Sequence, residues 1–270
     1  MASGKVRGSE KRRSSITAVP VLIISIILGV TLIWNKDEFK QTFIQRCQKF
    51  SGYNCQTIWD VFQQAFVNRD PCEVLPKAYD PLFLLVPLKA PCNTLMFWSG
   101  ANYVAHNFTK KNHCFKTMED FMLGSVLNDQ KWCGKKGSNE TYNTGCPNGT
   151  ACDKYPVDFF WRRSSAAFGD AACGNVTVML NGSYSSPFRE TSVFATVELK
   201  RFEFPRVKHL TAVLVIQENS DTDCSNDSLK KLEKELRDKG IGYRCSAVTQ
   251  SHLEKCASDP DKPCGACWSQ

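Results

Sequence analysis

The fold is decided by residues 212–248, AVLVIQENSDTDCSNDSLKKLEKELRDKGIGYRCSAV. An almost wholly apolar run at 212–217 predicts a strand with both faces covered. Asn226 then offers a helix cap, and leucines recur at helical spacing through 229–240 before a second strand pattern at 241–248. A strand, a helix and a strand within so short a stretch predict a βαβ unit, and therefore a parallel sheet.

Outward from this unit, the period of the apolar residues changes. Residues 176–180 (VTVML) predict another strand, whereas 58–67 (IWDVFQQAFV) and 118–127 (MEDFMLGSVL) place apolar residues on one helical face. Residues 134–155, rich in Gly, Asn and Thr, predict a loop held by cysteines. The fold class is therefore α/β and two-lobed, with a helical N-terminal lobe packed on a C-terminal α/β lobe and a cleft between them.

One uncharged stretch near the N-terminus, residues 16–34, is long enough to cross a bilayer. A cleaved signal peptide is the alternative, but it needs a shorter apolar region and a small-residue cleavage site, and neither is present. Five basic residues and one acidic residue precede the stretch, and Lys and Arg stay on the cytosolic side. We therefore expect a single-pass type II protein of the plasma membrane, with its ectodomain extracellular.

This topology divides the chain into four parts. They are a cytoplasmic tail (1–15), a transmembrane helix (16–34), a polar stalk or the lead-in to a first helix (35–45) and an ectodomain (46–270). The lipid bilayer is thus an expected partner. The whole-chain charge of +7 does not indicate nucleic acid, because more than half of it lies in the tail.

The composition beyond the anchor fits an oxidising compartment. All 14 cysteines lie between Cys47 and Cys267, which is typical of a disulfide framework. Six N-x-S/T sequons occupy the same part of the chain and predict glycosylation. They are Asn107, Asn139, Asn148, Asn175, Asn181 and Asn226.

Three segments stand out beyond this architecture. They are 95–106 (LMFWSGANYVAH), 117–124 (TMEDFMLG) with WCG at 132–134, and 159–188 (FFWRRSSAAFGDAACGNVTVMLNGSYSSPF) running into 192–199 (SVFATVEL). In this order they resemble the ADP-ribosyl cyclase / cyclic ADP-ribose hydrolase family, especially its type II membrane-anchored members. The resemblance extends over most of the predicted ectodomain.

The resemblance implies an ectoenzyme that cleaves the nicotinamide–ribose bond of NAD. The products would be nicotinamide and ADP-ribose, with minor synthesis and hydrolysis of cyclic ADP-ribose, which feeds calcium signalling. NAD and cyclic ADP-ribose are then the small-molecule ligands, and neither a cofactor nor a metal is implied. A cell-surface recognition or adhesion receptor that kept the fold but lost strong catalysis is the rival hypothesis.

The resemblance also implies roles for single residues. Glu198 matches the catalytic glutamate, and a carboxylate there can face an oxocarbenium-like sugar. By itself it would read as a strand glutamate facing solvent. Trp98 and Trp161 match tryptophans that line the pocket, where indole faces suit a cationic, flat nicotinamide. Glu119 matches the acid that contacts the nicotinamide amide and favours hydrolysis over cyclisation.

Further pocket residues follow from the same match. They are Ser165, which falls where the family holds a phosphate, and Ser99, Phe194 and Asp129. His106 and His113 read instead as packing or surface residues. The chain departs from the family at Gly100, where relatives carry arginine, at Val193 in place of a hydroxyl residue, and at Asn128 in place of aspartate. The first two changes weaken the expected phosphate grip.

The cysteine order of the family implies a set of pairings. They are Cys47–Cys55, Cys72–Cys152, Cys92–Cys173, Cys133–Cys146, Cys224–Cys245, and Cys256 with Cys264 or Cys267. Cys114 and the remaining terminal cysteine would bond each other or support a homodimer. The CGAC at 264–267 could also be half a zinc site or a redox pair. It lacks a second CxxC or CxxH unit, so a structural disulfide is the expectation.

Overall fold

The computed structural model describes residues 38–111, 113–147, 151–218, 220–259, 261–263 and 265–268. The predicted anchor and the Asn148 sequon lie outside these residues. Within them, no helix combines the length and the apolar character that a membrane crossing requires.

Helices and strands are numbered here along the chain. The helices are α1 (38–47), α2 (Cys55–Gln64), α3 (Asp80–Leu85), α4 (Asn102–Lys111), α5 (Met122–Leu127), α6 (Pro156–Asp170), α7 (Asp227–Asp238) and α8 (Gln250–Ala257). The strands are β1 (Met96–Ser99), β2 (Cys133–Lys135), β3 (Ser138–Tyr142), β4 (Gly174–Asn181), β5 (Val207–Ile216) and β6 (Gly242–Thr249).

The C-terminal lobe is a parallel sheet covered on both faces. Its strands lie in the order β1-β4-β5-β6, and each neighbouring pair is parallel. Alternate residues of β4 and β5 point to opposite faces, as the strand period requires. One face packs on leucines of α7 and the other on α4, α8 and Trp268. The predicted βαβ unit is confirmed, with β5 beginning five residues before the predicted strand.

The cap of α7 is also as predicted. The side chain of Asn226 accepts a hydrogen bond from the Ser228 backbone N–H at 2.9 Å, and so satisfies an otherwise unpaired donor of the first turn. Leu229, Leu232 and Leu236 are all buried.

The N-terminal lobe is helical and has an aromatic core. Phe39 and Phe43 of α1 are buried, and the Phe39 ring lies 5.3 Å from that of Trp59 on α2. Trp132 is fully buried and donates from Nε1 to the Tyr79 hydroxyl at 2.9 Å. Residues 38–45, expected to be a polar stalk or the lead-in to a first helix, lie within α1.

Helix α6 joins the two lobes. Phe160, near its start, packs in the N-terminal core, whereas Phe168, near its end, packs beneath the sheet. Trp161 contacts both cores. The two lobes are therefore held at a fixed spacing by one rigid helix, and a cleft lies beside it.

Two predictions of local structure were wrong. Residues 118–127 do not form one helix: a 3-10 turn at Met118–Asp120 is followed by extended backbone at Phe121, before α5 begins. Asp120 accepts from the Thr117 backbone N–H at 2.7 Å, which closes the first turn and separates it from the helix. The predicted loop at 134–155 contains the hairpin of β2 and β3.

The disulfides follow the implied pairing. Five bridges are those expected, and Cys256 bonds Cys267, one of the two partners left open for it. Cys114 is also disulfide-bonded, and Cys264 lies outside the described residues. Within the part of the chain that the structure describes, no group of His, Cys, Asp and Glu side chains is arranged to hold a metal ion.

The sequons differ in what their side chains do. Asn139 and Asn175 are exposed, and Asn107 is half-buried. The side-chain amide of Asn181 donates to the Gly100 carbonyl at 3.0 Å, and that of Asn226 donates to the Ser185 carbonyl at 3.1 Å. Glycosylation of all six stays a prediction.

Candidate active site

A cleft of about 830 Å³ lies between the lobes and collects every predicted catalytic and substrate-binding residue. These residues are Glu198, Glu119, Trp98, Trp161, Ser165, Ser99, Phe194 and Asp129. They come from distant parts of the sequence, and their individual roles stay predictions. Two parts of the cleft, a floor and a rim, differ in burial.

The floor consists of buried and half-buried lining residues: Trp98, Glu119, Trp161, Ser165 and Glu198. The rim consists of exposed lining residues: Asp129, Lys131, Arg189, Thr191 and Val193.

The floor is assembled by the ends of regular elements. Trp98 and Ser99 close β1, at the carboxyl edge of the parallel sheet, where ligands of open α/β folds bind. Trp161 and Ser165 are four residues apart on α6 and so share one face of that helix. Glu119 sits in the short turn that ends at Phe121.

Glu198 is held in a tight helical turn, and not in a strand as its sequence context suggested. Phe194–Glu198 form a π-helical turn. Such turns are rare in proteins overall, but many of those that occur lie at functional sites. The turn packs closely against α6 at Gly169, where an added Cβ would lie 2.9 Å from the Glu198 carbonyl oxygen. Only a glycine permits this approach. The side chain of Glu198 is consequently buried, with 7% of the residue exposed.

The environment of Glu198 favours its neutral form. The pKa of Glu198 is raised to about 8, chiefly because the group is buried; the Ser165 hydroxyl beside it lowers the pKa, and the charge of Glu119 contributes to raising it. A carboxyl with a pKa so far from its ordinary value, at the base of a cleft, is typical of a catalytic group. A cation bound above it would restore the ionised form.

Glu119 has an unsatisfied carboxylate oxygen. Its Oε2 is buried and has no hydrogen-bond partner among the described residues. The nearest cationic candidate is His106 on α4, whose Nε2 lies 3.7 Å away. His106, interpreted from sequence as a packing or surface residue, thus lines the cleft. The free oxygen can accept a hydrogen bond from a ligand amide.

The indole rings of Trp98 and Trp161 line the cleft together with the two carboxyl groups, and neither ring is fully buried in the core. Trp98 and Trp161 are both half-buried, so each retains surface toward the cleft. The Trp98 ring packs edge-on against His106 at 5.9 Å, and the Trp161 ring against Phe160 at 5.1 Å. These contacts hold the rings, and the surface that each indole keeps toward the cleft suits a flat cation.

The departures from the family pattern fall around the rim. Val193 is 41% exposed. Asn128 donates from its side-chain amide to Asp129 Oδ2 at 3.1 Å, and Asp129 has a positive φ of 59°. Asp129 therefore lies at the mouth of the cleft, in water, with Asn128 beside it.

Two rim cations were not found from the sequence. Lys131 and Arg189 line the cleft, and the Arg189 guanidinium stacks over the Tyr184 ring at 4.7 Å. Neither lies in a motif that sequence inspection would single out. Arg189 lies on the loop between β4 and the π-helical turn, and Lys131 lies on the segment between α5 and β2.

Known proteins are similar to this chain in both sequence and fold. The family model described as ADP-ribosyl cyclase matches residues 36–265. The chain is 29% identical to mouse ADP-ribosyl cyclase/cyclic ADP-ribose hydrolase 1, over 95% of this chain and 93% of the relative. It is 32% identical to the rat protein of the same name, over 88% of this chain and 77% of the relative.

Solved structures agree. Porcine CD38 complexed with a covalent intermediate, ribo-F-ribose-5'-phosphate, is 33% identical and superposes with a TM-score of 0.73, over 78% of this chain and 96% of that one. Aplysia cyclase complexed with the substrate NGD and the product cGDPR is 25% identical, with a TM-score of 0.74, over 83% of this chain and 94% of that one.

Proposed function

The chain belongs to the ADP-ribosyl cyclase family, and from that premise we propose that it cleaves the nicotinamide–ribose bond of NAD. The products are nicotinamide and ADP-ribose, with minor synthesis and hydrolysis of cyclic ADP-ribose, which feeds calcium signalling. The observation that carries the proposal is a buried carboxyl, Glu198, with a pKa raised to about 8, in a cleft that also holds two half-buried indoles.

Cleavage of the nicotinamide–ribose bond requires little acid catalysis from the protein. The pyridinium ring leaves with the electron pair of the C–N bond and becomes neutral nicotinamide, so its departure needs no proton donor. The sugar is left with positive charge, which the Glu198 carboxylate stabilises. Water then adds at the sugar and loses a proton to give ADP-ribose; attack by the adenine of the same molecule gives the cyclic product.

The other floor residues bind and orient the leaving group. Trp98 and Trp161 offer indole faces to the cationic ring, and Glu119 accepts a hydrogen bond from its amide. Holding nicotinamide in this way keeps the sugar carbon above Glu198. The resemblance assigned Ser165 to a phosphate, but its hydroxyl lies beside Glu198, so we assign it, with the half-buried hydroxyl of Ser192 near the rim, to the ribose.

Nicotinamide release from NAD by the purified protein tests the activity. We expect turnover in the unmutated protein and loss in Glu198→Gln. Unchanged turnover in Glu198→Gln would refute the catalytic assignment. Absence of turnover in the unmutated protein, with NAD still bound, would favour the receptor hypothesis.

We further propose that the protein acts outside the cell, anchored by residues 16–34 in type II orientation. The support is the uncharged stretch, the basic residues before it and the disulfides after it. Protease treatment of intact cells should remove the globular part and spare the tail. Protection of the globular part from the protease would contradict the orientation.

A further inference from the structure

A dinucleotide brings two phosphate groups to the cleft, and the floor cannot neutralise them. The floor holds two carboxyl groups, Glu198 and Glu119, and neither can supply positive charge to a phosphate. Among the described lining residues, the lysine and arginine side chains are Lys131 and Arg189, both at the rim. Phosphate binding therefore belongs to the exposed end of the cleft.

Arg189 is prepared for an anion in a way that Lys131 is not. Its guanidinium stacks on the Tyr184 ring, with 4.7 Å between the guanidinium carbon and the ring centroid. The adjacent acid, Glu190, is engaged by Lys231 at 2.8 Å. No described residue forms a salt bridge with Arg189, so the stacked guanidinium keeps its N–H groups available. Stacking fixes the plane of the guanidinium, whose fork of donors matches two phosphate oxygens.

The support under Arg189 depends on the absence of a side chain at residue 100. A Cβ added to Gly100 would lie 2.5 Å from Cε2 of Tyr184, closer than real atoms approach. Gly100 also has a positive φ of 69°, which disfavours other residues. Asn181 fixes the two segments to each other by its 3.0 Å hydrogen bond to the Gly100 carbonyl. The Tyr184 ring thus occupies the space that a larger residue 100 would need.

We propose that Arg189, supported by the Tyr184 ring, is the residue that binds the phosphate groups of the substrate. This inference rests on the proposed NAD-cleaving function and extends it to the end of the substrate that does not react. A phosphate held at the rim anchors the dinucleotide while nicotinamide occupies the floor. The contact is equally strong before and during bond cleavage, so it acts on KM and leaves kcat nearly unchanged.

Steady-state kinetics of Arg189→Gln with two substrates test the proposal. For NAD, we expect KM to rise about 10- to 100-fold, because a hydrogen bond to a charged group is lost. The value of kcat should stay within about threefold of that of the unmutated protein. For nicotinamide riboside, which has the same scissile bond and no phosphate, kinetics should be unchanged. Arg189→Lys keeps the charge and should recover part of the affinity. Tyr184→Ala should raise KM for NAD by less than Arg189→Gln.

Two matched variants serve as controls. Arg237→Gln removes an exposed arginine from α7, outside the cleft, and should not alter KM. Lys131→Gln removes the other rim cation. A large rise in KM for NAD in Lys131→Gln, with none in Arg189→Gln, would overturn the proposal. An equal loss of both substrates in Arg189→Gln would also overturn it, since the defect would then lie elsewhere than at the phosphates.

Calorimetric binding of ADP-ribose separates this inference from the proposed function. Weaker binding in Arg189→Gln supports the phosphate contact even if the unmutated protein releases no nicotinamide. Conversely, Arg189→Gln could cleave NAD with an unchanged KM and bind ADP-ribose with unchanged affinity. That result would leave the proposed function intact and would refute the role of Arg189.

Discussion

The floor and the rim of the cleft obey different constraints. By the sequence resemblance, every floor residue matches the family pattern, whereas Gly100, Asn128 and Val193 depart from it; Val193 belongs to the rim, and Gly100 and Asn128 are half-buried cleft residues outside the named floor. On the floor, a carboxylate is buried, and each neighbour changes its protonation. At the rim, charges act through water, so a cation can be supplied from a different loop with a similar effect. The reaction requires particular residues at particular positions of the floor. At the rim it requires only a positive charge, which residues at different positions can supply.

The largest effect should come from removing the floor carboxylate. Glu198→Gln keeps the shape of the side chain and abolishes its charge, so kcat for NAD should fall by about 10³-fold or more, since electrostatic stabilisation of the transition state is lost. Nicotinamide release measures it. A matched rim change, Asp129→Asn, should alter kcat by less than about threefold. Comparable losses in both variants would erase the distinction between floor and rim.

The same variant should be more stable than the unmutated protein at high pH. Because the pKa of Glu198 is raised from 4.5 to about 8, folding favours its protonated form. Its ionisation therefore destabilises the folded state progressively as pH rises from about 4.5 to about 8. Thermal denaturation should show Glu198→Gln to be more stable at pH 9, with the difference vanishing near pH 4. The opposite trend would mean that folding lowers the pKa of Glu198 and does not raise it.

The pH dependence of turnover should report the same group. Since kcat/KM reflects the free enzyme, it should fall below about pH 8, by about 50-fold between pH 8 and pH 6. Bound pyridinium favours the ionised carboxylate, so the corresponding limb of kcat should lie at lower pH. Glu119→Gln should shift the kcat/KM limb downward, because the charge of Glu119 raises the pKa of Glu198. A limb unmoved in that variant would contradict their coupling.

An intermediate effect is expected for the indoles. Trp161→Ala removes a ring face worth up to about 2 kcal/mol to a desolvated cation, so kcat/KM should fall about 10- to 30-fold. Trp161→Phe keeps an aromatic face and should lose much less. Since Trp161 also joins the two cores, thermal denaturation of both variants is the control. Equal kinetic losses for Ala and Phe would show that packing, and not the ring face, is what matters.

The smallest effect concerns product choice. Glu119→Ala should raise the share of cyclic ADP-ribose about threefold, since nicotinamide and water are then held less firmly at the floor. A change of this size corresponds to less than about 1 kcal/mol between the two routes. Chromatography of the products measures it. An unaltered ratio would remove Glu119 from partitioning and leave it a binding residue.

Long, strongly patterned segments of this fold could be predicted from sequence. The leucine stripe and Asn226 cap of α7 and the apolar run in β5 are local signals, and both elements formed as expected. The break at Phe121, where the backbone is extended, has no local signal: the capping box of Thr117 and Asp120 marks only where the first turn begins. The π-helical turn at Glu198 depends on a distant residue, Gly169 of α6.

The floor residues could be named in advance because their motifs are ordered along the chain. The rim could not. Arg189 gains its position from Tyr184, and Tyr184 from the bare backbone at Gly100, which is 84 residues away from it in the sequence. No local pattern encodes such a three-part dependence. His106 packs against Trp98, in line with its interpretation from the sequence, but its approach to Glu119 could not be foreseen, because Glu119 belongs to another segment.

The contact between Gly100 and Tyr184 also restricts how this protein can change over generations. A mutation that gives residue 100 a side chain collides with the Tyr184 ring, while a mutation that removes the ring takes the support from Arg189. A side chain at residue 100 and the Tyr184 ring compete for the same space, so a chain with a larger residue at position 100 has to place this ring elsewhere. Under the proposed role of Arg189, residues 100, 184 and 189 are therefore expected to change together.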